Sequence, residues 1–355
     1  MYFMGLNKQI QKIDALLRKT GSKGAPADTQ VRIYSKKLGI DYHYESEAKR
    51  PYHAASVGKV FVVALLVQMA DEGKLSLDQK ISELLNAEDL EGLYVINGKD
   101  YSSEVTVRQL ASHTSGINDY FESKSSNESS FIDQVITDSD HIWTPDELLD
   151  YTRRYQKAVA IPGTKFFYSD TGYIMLGKVL EKVSGLSYGN LLSKRIFEPL
   201  AMEGSYLYGQ SVSHKLQAIA PLYVKGVDIS SMKSLSCDWS GGGVITTTDD
   251  LLRFQVALHT GKFGNLVAEQ AGFPNKFRRG IDYGFGMMQL HFSDFFFLLR
   301  GLPNMTGHIG ITATHMFYDD VNDVHYILNF GSEKRMVESF KILIKIIQIL
   351  KMKAS

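Results

Sequence analysis

The sequence is poor in cysteine and carries no excess of charge of either sign. Its single cysteine, Cys237, has no second cysteine to pair with, so an intrachain disulfide is excluded and a reducing compartment fits. Lys+Arg and Asp+Glu number 39 each, so no global electrostatic field would draw the protein to nucleic acid or to an anionic membrane. We therefore expect no nucleic-acid partner, and we leave the oligomeric state open.

Long apolar runs and cofactor motifs are also missing. No segment has about 18 uninterrupted apolar residues, so no transmembrane segment is predicted. The zinc pattern H-E-x-x-H and the phosphate-binding pattern G-x-x-x-x-G-K-[ST] do not occur, and we predict no metal and no other cofactor. No signal peptide is recognised at the N-terminus. As the sequence stands, this predicts a cytoplasmic protein, or an extracytoplasmic one if a leader has been removed.

The periodicity of apolar residues differs between the ends and the middle of the chain. Residues 31–35 and 40–44 alternate apolar and polar side chains around Lys37-Leu38-Gly39, which predicts a β-hairpin. Strand-like segments return in the second half, at residues 242–245, 284–287, 295–299, 312–317 and 325–329. Helical patterns occupy the middle, at residues 77–85, 107–111, 145–155 and 171–183.

Strands at both ends with helices between them indicate an inserted domain. The sequence thus predicts an α/β (α+β) protein. Residues 1–75 and 215–355 would form a sheet domain and residues 76–214 an inserted helical domain, with the active site at their interface. The basic, apolar-rich helix predicted at residues 333–353 would cover the sheet; the alternative is a helix on a membrane surface.

The candidate nucleophile is Ser56, one helical turn before Lys59. Side chains at i and i+3 share a helix face, so the Lys59 amine can reach the Ser56 hydroxyl. The S-x-x-K spacing alone is weak, because it recurs at Ser46 and Ser230. Of the three serines, only Ser56 opens a long apolar helix, where burial makes a lysine a better base and helix amides stabilise negative charge.

Two further segments offer complementary chemistry. Tyr168 lies in Tyr168-Ser169-Asp170 at a predicted helix start, and its phenol could take the serine proton as a phenolate or return a proton to the leaving group. His308 is followed by Gly310, where a substrate can approach the strand backbone closely. The Ile311 amide could then pair with the Ser56 amide as an oxyanion hole.

Together these motifs resemble those of the serine β-lactamase and penicillin-binding protein superfamily, in its class C β-lactamase-like branch with DD-carboxypeptidases, family VIII-type esterases and D-amino-acid peptidases. The order of the three motifs and the long intervals between them match those of the superfamily. The likeness extends over nearly the whole chain, through residues 110–116, 168–177, 240–251 and 283–286. The resemblance implies a β-lactamase/transpeptidase-like fold, with an antiparallel sheet flanked by helices.

Residue by residue, the resemblance implies that Ser56 is the acylated nucleophile and Lys59 its proton-accepting or field-supplying partner. Tyr168 would be the general base and acid, and His308 would orient Tyr168 or a substrate carboxylate. The backbone amides of Ser56 and Ile311 would form the oxyanion hole.

The predicted substrate-binding residues are Asp170, Gly310, Tyr120 and Phe285. Asp170 departs from the asparagine common at the end of the second motif. An ionised aspartate only accepts hydrogen bonds, so Asp170 would hold Lys59 as an ammonium and repel a substrate carboxylate, unless a protonated His308 compensates. The aspartate therefore weakens the interpretation of the protein as a β-lactamase or a carboxypeptidase and favours a neutral ester or amide as its substrate.

The sequence therefore predicts a serine hydrolase that forms an acyl-enzyme with an ester, amide or β-lactam carbonyl of a small-molecule or peptide substrate. It does not choose among β-lactam, D-amino-acid peptide and ester. The alternative is a catalytically weak penicillin-binding or sensing protein of the same fold.

Overall fold

The computed structural model describes residues 2–21, 27–47, 50–124, 126, 129–209, 218–264, 266 and 268–351. Their helices are α1 (Tyr2–Gly21), α2 (Gly58–Asp71), α3 (Ala87–Leu90), α4 (Val107–Ala111), α5 (Phe131–Thr137), α6 (Pro145–Tyr155), α7 (Asp170–Ser184), α8 (Tyr188–Leu192), α9 (Trp239–Gly242), α10 (Thr248–His259), α11 (Phe292–Phe295) and α12 (Met336–Leu350). Their strands are β1 (Gln30–Ser35), β2 (Ile40–Glu45), β3 (Tyr52–His53), β4 (Val95–Ile96), β5 (Lys99–Asp100), β6 (Tyr206–Leu207), β7 (Tyr223–Val224), β8 (Val227–Asp228), β9 (Val244–Thr246), β10 (Asn275–Arg278), β11 (Ile281–Tyr283), β12 (Met288–Leu290), β13 (Met305–Gly310), β14 (Thr314–Asp319) and β15 (Val324–Asn329).

The main sheet has eight antiparallel strands in the order β10-β11-β12-β13-β14-β15-β1-β2. Its two sequence-distant parts join where β15 pairs with β1, with Val31 opposite Leu328. Both ends of the chain therefore build one sheet, and the predicted α/β class with an antiparallel sheet is confirmed.

The predicted hairpin is confirmed as β1 and β2. Its alternation has a physical cause, because side chains in a strand point to opposite faces in turn. In β2, Ile40, Tyr42 and Tyr44 are buried while Asp41 and His43 are exposed.

Helices α1 and α12 pack against each other and share a core with the sheet. The prediction that the C-terminal helix covers the sheet is confirmed, because Ile342, Leu343 and Ile346 are buried in the same cluster as strand residues. Among the described residues, no helix is both long enough and apolar enough to cross a membrane.

Helix α6 begins at the predicted residue because Thr144 and Glu147 form a capping box and Pro145 occupies the first turn. Three other predictions are wrong. Residues 284–287, predicted as a strand, form the connection between β11 and β12. Residues 77–85 contain only a short 3-10 turn, Ile81–Glu83, in place of a helix. The strand predicted at 295–299 is the end of α11 followed by a 3-10 turn, since a short apolar run does not distinguish strand from helix.

The division into a domain of residues 1–75 plus 215–355 and a domain of residues 76–214 stays a prediction. Its second boundary lies outside the described residues. The region from α3 to α8 is mainly helical, and its core is continuous with that of α2 and α10.

Candidate active site

Ser56 lies in a 3-10 turn, Ala55–Val57, that runs directly into α2. Ala55 has φ of +49°, in the left-handed region that costs a non-glycine residue energy. Its N–H donates to Nδ1 of the buried His53 at 3.1 Å, which holds the turn in place. Gly242 permits the close packing of α9, because a Cβ there would lie 2.8 Å from the Ala55 carbonyl carbon.

Lys59 is fully buried at the start of α2 and donates three hydrogen bonds. Its Nζ reaches Ser56 Oγ at 3.2 Å and the Gly241 carbonyl oxygen at 2.6 Å, and it forms an ion pair with Asp170 Oδ1. An ammonium has three N–H groups and a neutral amine only two. Three acceptors around Nζ therefore match Lys59 as a cation that donates to Ser56 at rest.

Asp170 is buried at the first residue of α7. Its backbone N–H donates to Asp119 Oδ1 at 2.8 Å, and the N–H of Glu122 donates to Asp119 Oδ2 at 2.7 Å. Burial and the neighbouring Asp170 raise the pKa of Asp119 to about 7. Asp119 thus fixes the loop that carries Glu122 next to the start of α7, a role that nothing in the sequence pattern marked.

Tyr168 borders the same cavity as Ser56, with Lys59 Nζ 5.0 Å from its ring centroid. Burial, followed by the charge of Asp170, raises the pKa of Tyr168 well above its ordinary value, although the Ser56 hydroxyl acts in the opposite direction. The raised pKa disfavours a partial phenolate at rest and favours the other predicted role of Tyr168, return of a proton to the leaving group. The ring centroids of His113 and Tyr168 are 4.2 Å apart, and His113 Nδ1 accepts the Ser169 N–H, so His113 holds Tyr168 in position.

The contacts described for His308 do not include Tyr168, and its role toward a substrate carboxylate stays a prediction. His308 is fully buried in β13, where Nδ1 is 2.9 Å from the Ile309 carbonyl oxygen and Nε2 is 3.3 Å from the Tyr283 hydroxyl. Burial and the charge of Lys59 lower the pKa of His308 to about 3. A neutral His308 cannot offset the charge of Asp170, and its route to Tyr168 runs through the Tyr283 ring, 5.9 Å from that of Tyr168.

The end of β13 is brought to the nucleophile as predicted. Ile311 lines the cavity together with Ser56. Sequence analysis predicted that Gly310 lets a substrate approach the strand backbone, but the structure gives another reason for a glycine at this position. A Cβ there would lie 2.8 Å from that of Ala55 and 3.0 Å from the Ala54 carbonyl oxygen, so Gly310 lets the strand pack against the turn that carries Ser56.

The structure does not bring the two predicted aromatic residues to the cavity. Tyr120 is fully buried and donates its hydroxyl to the Cys237 carbonyl oxygen at 2.7 Å. Phe285 is buried in the core beneath Arg108. The aromatic residue that lines the cavity is Phe121, the neighbour of the predicted Tyr120. In an irregular loop, side chains do not alternate with a fixed period, so the sequence does not show which of two neighbours faces the cavity.

The cavity beside Ser56 also contains residues that sequence analysis did not assign to the site. Its lining comprises Ala55, Ser56, Phe121, Glu122, Tyr168, Asp170, Asp238, Gly241 and Ile311. Gly241 lies within residues 240–251, one of the segments that resemble the family, and this resemblance could have identified it as a site residue. Glu122 and Asp238 stand in no motif.

Other serine motifs are structural. Residues 185–189 fit G-x-S-x-G, a pattern that sequence analysis overlooked, but this segment joins two helices and Ser187 caps α8 by accepting the Asn190 N–H. A nucleophile elbow requires a strand before the serine. The hydroxyl of Ser46 accepts the Thr29 N–H, and Lys49 lies outside the described residues.

Across the described part of the chain, no group of three or more His, Cys, Asp or Glu side chains could hold a metal ion.

The fold defines a protein of the serine β-lactamase/transpeptidase type. D-amino acid amidase from Ochrobactrum anthropi SV3, in complex with L-phenylalanine, superposes with a TM-score of 0.78 at 20% identity over 98% of both chains. EstCE1, described as a hydrolase with promiscuous acyltransferase activity, superposes with a TM-score of 0.73 at 20% identity, again over 98% of both chains. At this identity the likeness shows the fold.

The model of the Beta-lactamase family matches residues 43–338, and the chain belongs to this family. A penicillin-binding protein of Bacillus subtilis (strain 168) is 27% identical over 274 residues, 70% of this chain and 56% of that protein. Protein flp of Staphylococcus aureus (strain NCTC 8325 / PS 47) is 24% identical over 264 residues, 70% of this chain and 49% of its own. The chain thus spans about half the length of these curated relatives.

Proposed function

We propose that the protein is a serine hydrolase that forms an acyl-enzyme on Ser56 with an ester or amide substrate. The observation that carries the proposal is the contact of Lys59 Nζ with Ser56 Oγ, made while Asp170 and Gly241 hold the same ammonium. This places a cation beside the atom on which negative charge develops when the serine is deprotonated. A structural neighbour that is an amidase, another described as a hydrolase, and the penicillin-binding relative support hydrolysis as the reaction class.

In the proposed reaction, Ser56 Oγ attacks the carbonyl carbon and the amides of Ser56 and Ile311 bind the oxyanion. Tyr168 is protonated at rest, so it acts as a relay: it accepts the Ser56 proton as it gives its own to the leaving group. Lys59 stays an ammonium and stabilises the charge that passes between the two oxygens. Water then attacks the acyl-enzyme, and the relay runs in reverse to restore Ser56.

The proposal is tested by trapping the acyl-enzyme. Protein incubated with a fluorophosphonate probe is digested, and the labelled peptide is identified by mass spectrometry. We expect label on the peptide that contains Ser56. Label on any other serine, with Ser56 unmodified, would contradict the proposal.

Removal of the Tyr168 hydroxyl is expected to lower kcat by about 10²- to 10⁴-fold, the range for loss of a general acid–base group. The measurement is steady-state hydrolysis of p-nitrophenyl butyrate by Tyr168→Phe. The matched control is Tyr326→Phe, which removes a buried hydroxyl in β15 that has no hydrogen-bond partner among the described residues. A Tyr168→Phe variant with the kcat of the control would rule out the relay.

Substitution of Asp170 is expected to change which substrates are accepted. Its carboxylate lies in the cavity wall and repels the carboxylate that penicillins and D-Ala-D-Ala peptides carry. We expect p-nitrophenyl butyrate to be preferred over nitrocefin and over a D-Ala-D-Ala peptide. Asp170→Asn is expected to move this preference toward the two carboxylated substrates. If all three rates change by the same factor, the charge argument is wrong.

A catalytically weak penicillin-binding protein is the second candidate. The specific observation in its favour is that Lys59 has all three N–H groups engaged and Tyr168 is held protonated, so neither of these two residues is a free base at rest. Stable labelling of Ser56 by a fluorescent penicillin, without turnover of any ester or amide, would support this candidate against the hydrolase.

A further inference from the structure

Half of the large apolar side chains that are exposed in the described residues lie in two neighbouring segments. Phe296, Phe297 and Leu298 follow α11 and are 49%, 65% and 67% exposed, and Val337 at the start of α12 is 66% exposed. Single apolar side chains are normal on a protein surface, whereas a contiguous group marks an interaction site. The other four exposed side chains stand in four separate segments: Val95, Ile142, Ile161 and Val227.

The two segments contact each other in the structure. The ring centroids of Phe295 and Phe340 are 5.6 Å apart, so the connection between β12 and β13 packs against the first turns of α12. Val337 lies one turn before Phe340 on the same face of that helix, so its exposed side chain stands next to this contact.

Residues 296–298, which we call the apolar tip, protrude from the surface. Residues Phe297–Leu299 form a 3-10 turn, in which successive side chains point about 120° apart. Three consecutive side chains can all be exposed around such a turn only where the chain stands out from its surroundings. The ring centroids of Phe296 and Phe297 are 4.9 Å apart, so these two rings also contact each other.

The base of the apolar tip is fixed to the fold. Phe292 is fully buried in the core of the sheet, and Phe295 packs against that core. Arg279 Nε donates to the Asp294 carbonyl oxygen at 2.5 Å, and Gly280 makes room for the Phe295 ring, because a Cβ there would lie 2.9 Å from it. The fold thus holds apolar side chains in water, which is unfavourable unless a partner covers them.

Basic residues surround the apolar tip, although the chain as a whole is neutral. Residues 276–300 and 336–351, the two segments that meet here, contain seven Lys or Arg and three Asp or Glu. Arg300 ends the turn that carries the tip, and Lys341 and Lys345 follow Val337 at four-residue intervals on the exposed side of α12. Within the described residues, the structure shows no ion pair for these three basic side chains.

The acidic residues of the two segments do not cancel this charge. They are fewer, and each has a partner of its own: Glu338 pairs with Arg335, Asp282 lies 3.3 Å from His291 Nε2, and the Asp294 carboxylate accepts the Ser293 hydroxyl.

We propose that the apolar tip and the basic residues around it dock onto the surface of an anionic lipid bilayer. The apolar side chains enter the boundary between headgroups and acyl chains, while lysine and arginine stay at the anionic headgroups. A protruding tip fits a deformable lipid surface. A second copy of the chain would need a matching groove or a flat, self-complementary face. Docking does not depend on the proposed hydrolase.

The test is co-sedimentation of the full chain with lipid vesicles. One set consists of phosphatidylcholine alone and the other of phosphatidylcholine mixed with phosphatidylglycerol. We expect binding to the mixed vesicles, weaker binding to the neutral ones, and a decrease as salt is added, because salt screens the charges.

Two double variants separate the apolar and the charged contribution. Phe297→Ser with Leu298→Ser should lower the partition coefficient on mixed vesicles by about tenfold or more, since both side chains leave the lipid. Arg300→Gln with Lys341→Gln should lower it by about tenfold on mixed vesicles and leave it unchanged on neutral ones.

The matched controls alter similar side chains away from the apolar tip. Ile142→Ser with Ile161→Ser removes two exposed apolar side chains, and Lys157→Gln with Lys194→Gln removes two exposed charges. Both should bind vesicles like the wild type. If Phe297→Ser with Leu298→Ser lowers the Tm, Leu298→Ser alone decides, because Leu298 is the most exposed residue of the tip.

Three results would overturn the proposal. The first is a wild-type chain that binds neither kind of vesicle. The second is binding that Phe297→Ser with Leu298→Ser does not weaken. The third is a wild-type mass in light scattering twice that of one chain, with a single chain in this variant, because a second copy would then cover the tip.

Discussion

Ser56→Ala is expected to lower hydrolysis of p-nitrophenyl butyrate by about 10³-fold or more, as removal of an acyl-enzyme nucleophile does elsewhere. Lys59, Tyr168 and the oxyanion amides remain, but no atom is left to carry the acyl group. The fold should persist, because the Ser56 side chain is partly exposed, although its hydrogen bonds with Lys59 and Tyr168 are lost. The measurements are kcat/KM and fluorophosphonate labelling, and both should be lost together.

The chain offers a control of the same motif. Ser230 also stands three residues before a lysine, but its segment precedes no long buried helix. Ser230→Ala should keep full activity and full labelling. Retention of both by folded Ser56→Ala would rule out the proposed nucleophile.

Lys59→Met is expected to have the second largest effect, on both activity and stability. The side chain is fully buried and its charge is balanced by Asp170, so the substitution leaves a buried carboxylate without its partner. Breaking a buried ion pair in this way costs about 3–5 kcal/mol of unfolding free energy. Activity should fall at least as far as in Tyr168→Phe, because Ser56 loses its only cation neighbour among the contacts described.

A double variant separates the two effects of the lysine. Lys59→Met with Asp170→Leu removes both charges, and we expect it to recover much of the lost stability without recovering activity. The measurements are denaturant unfolding and kcat. The control is Lys225→Met, which removes a half-exposed surface pair with Asp133 and should change little. Recovery of activity by the double variant would show that Lys59 serves only to neutralise Asp170.

The family resemblance, the hairpin, helix α6 and the terminal helix were predictable because each depends on local sequence. Periodicity and capping act over a few residues, so Thr144-Pro145 marks the start of α6 without knowledge of the fold. Ser56 was singled out from its two rival serines by the apolar run after it, which becomes the buried helix α2.

Other parts of the site depend on contacts between distant segments. His308 stands in the expected motif, but its neutral state comes from complete burial and from the nearby charge of Lys59. Glu122 and Asp238 are more than 100 residues apart in sequence and carry no motif, yet they line one cavity. Nothing local marks residues of this kind.

By itself, the sequence determined which residues can react: a serine at the mouth of a buried helix, a lysine one turn on, and a tyrosine at the start of another helix. The tertiary structure decided the protonation state and the hydrogen-bond partners of those residues. Asp170 and the Gly241 carbonyl both come to Lys59 from far along the chain, and together with Ser56 they use all three of its N–H groups. Spacing in sequence sets which side chains share a helix face, whereas protonation depends on burial and on every charge nearby.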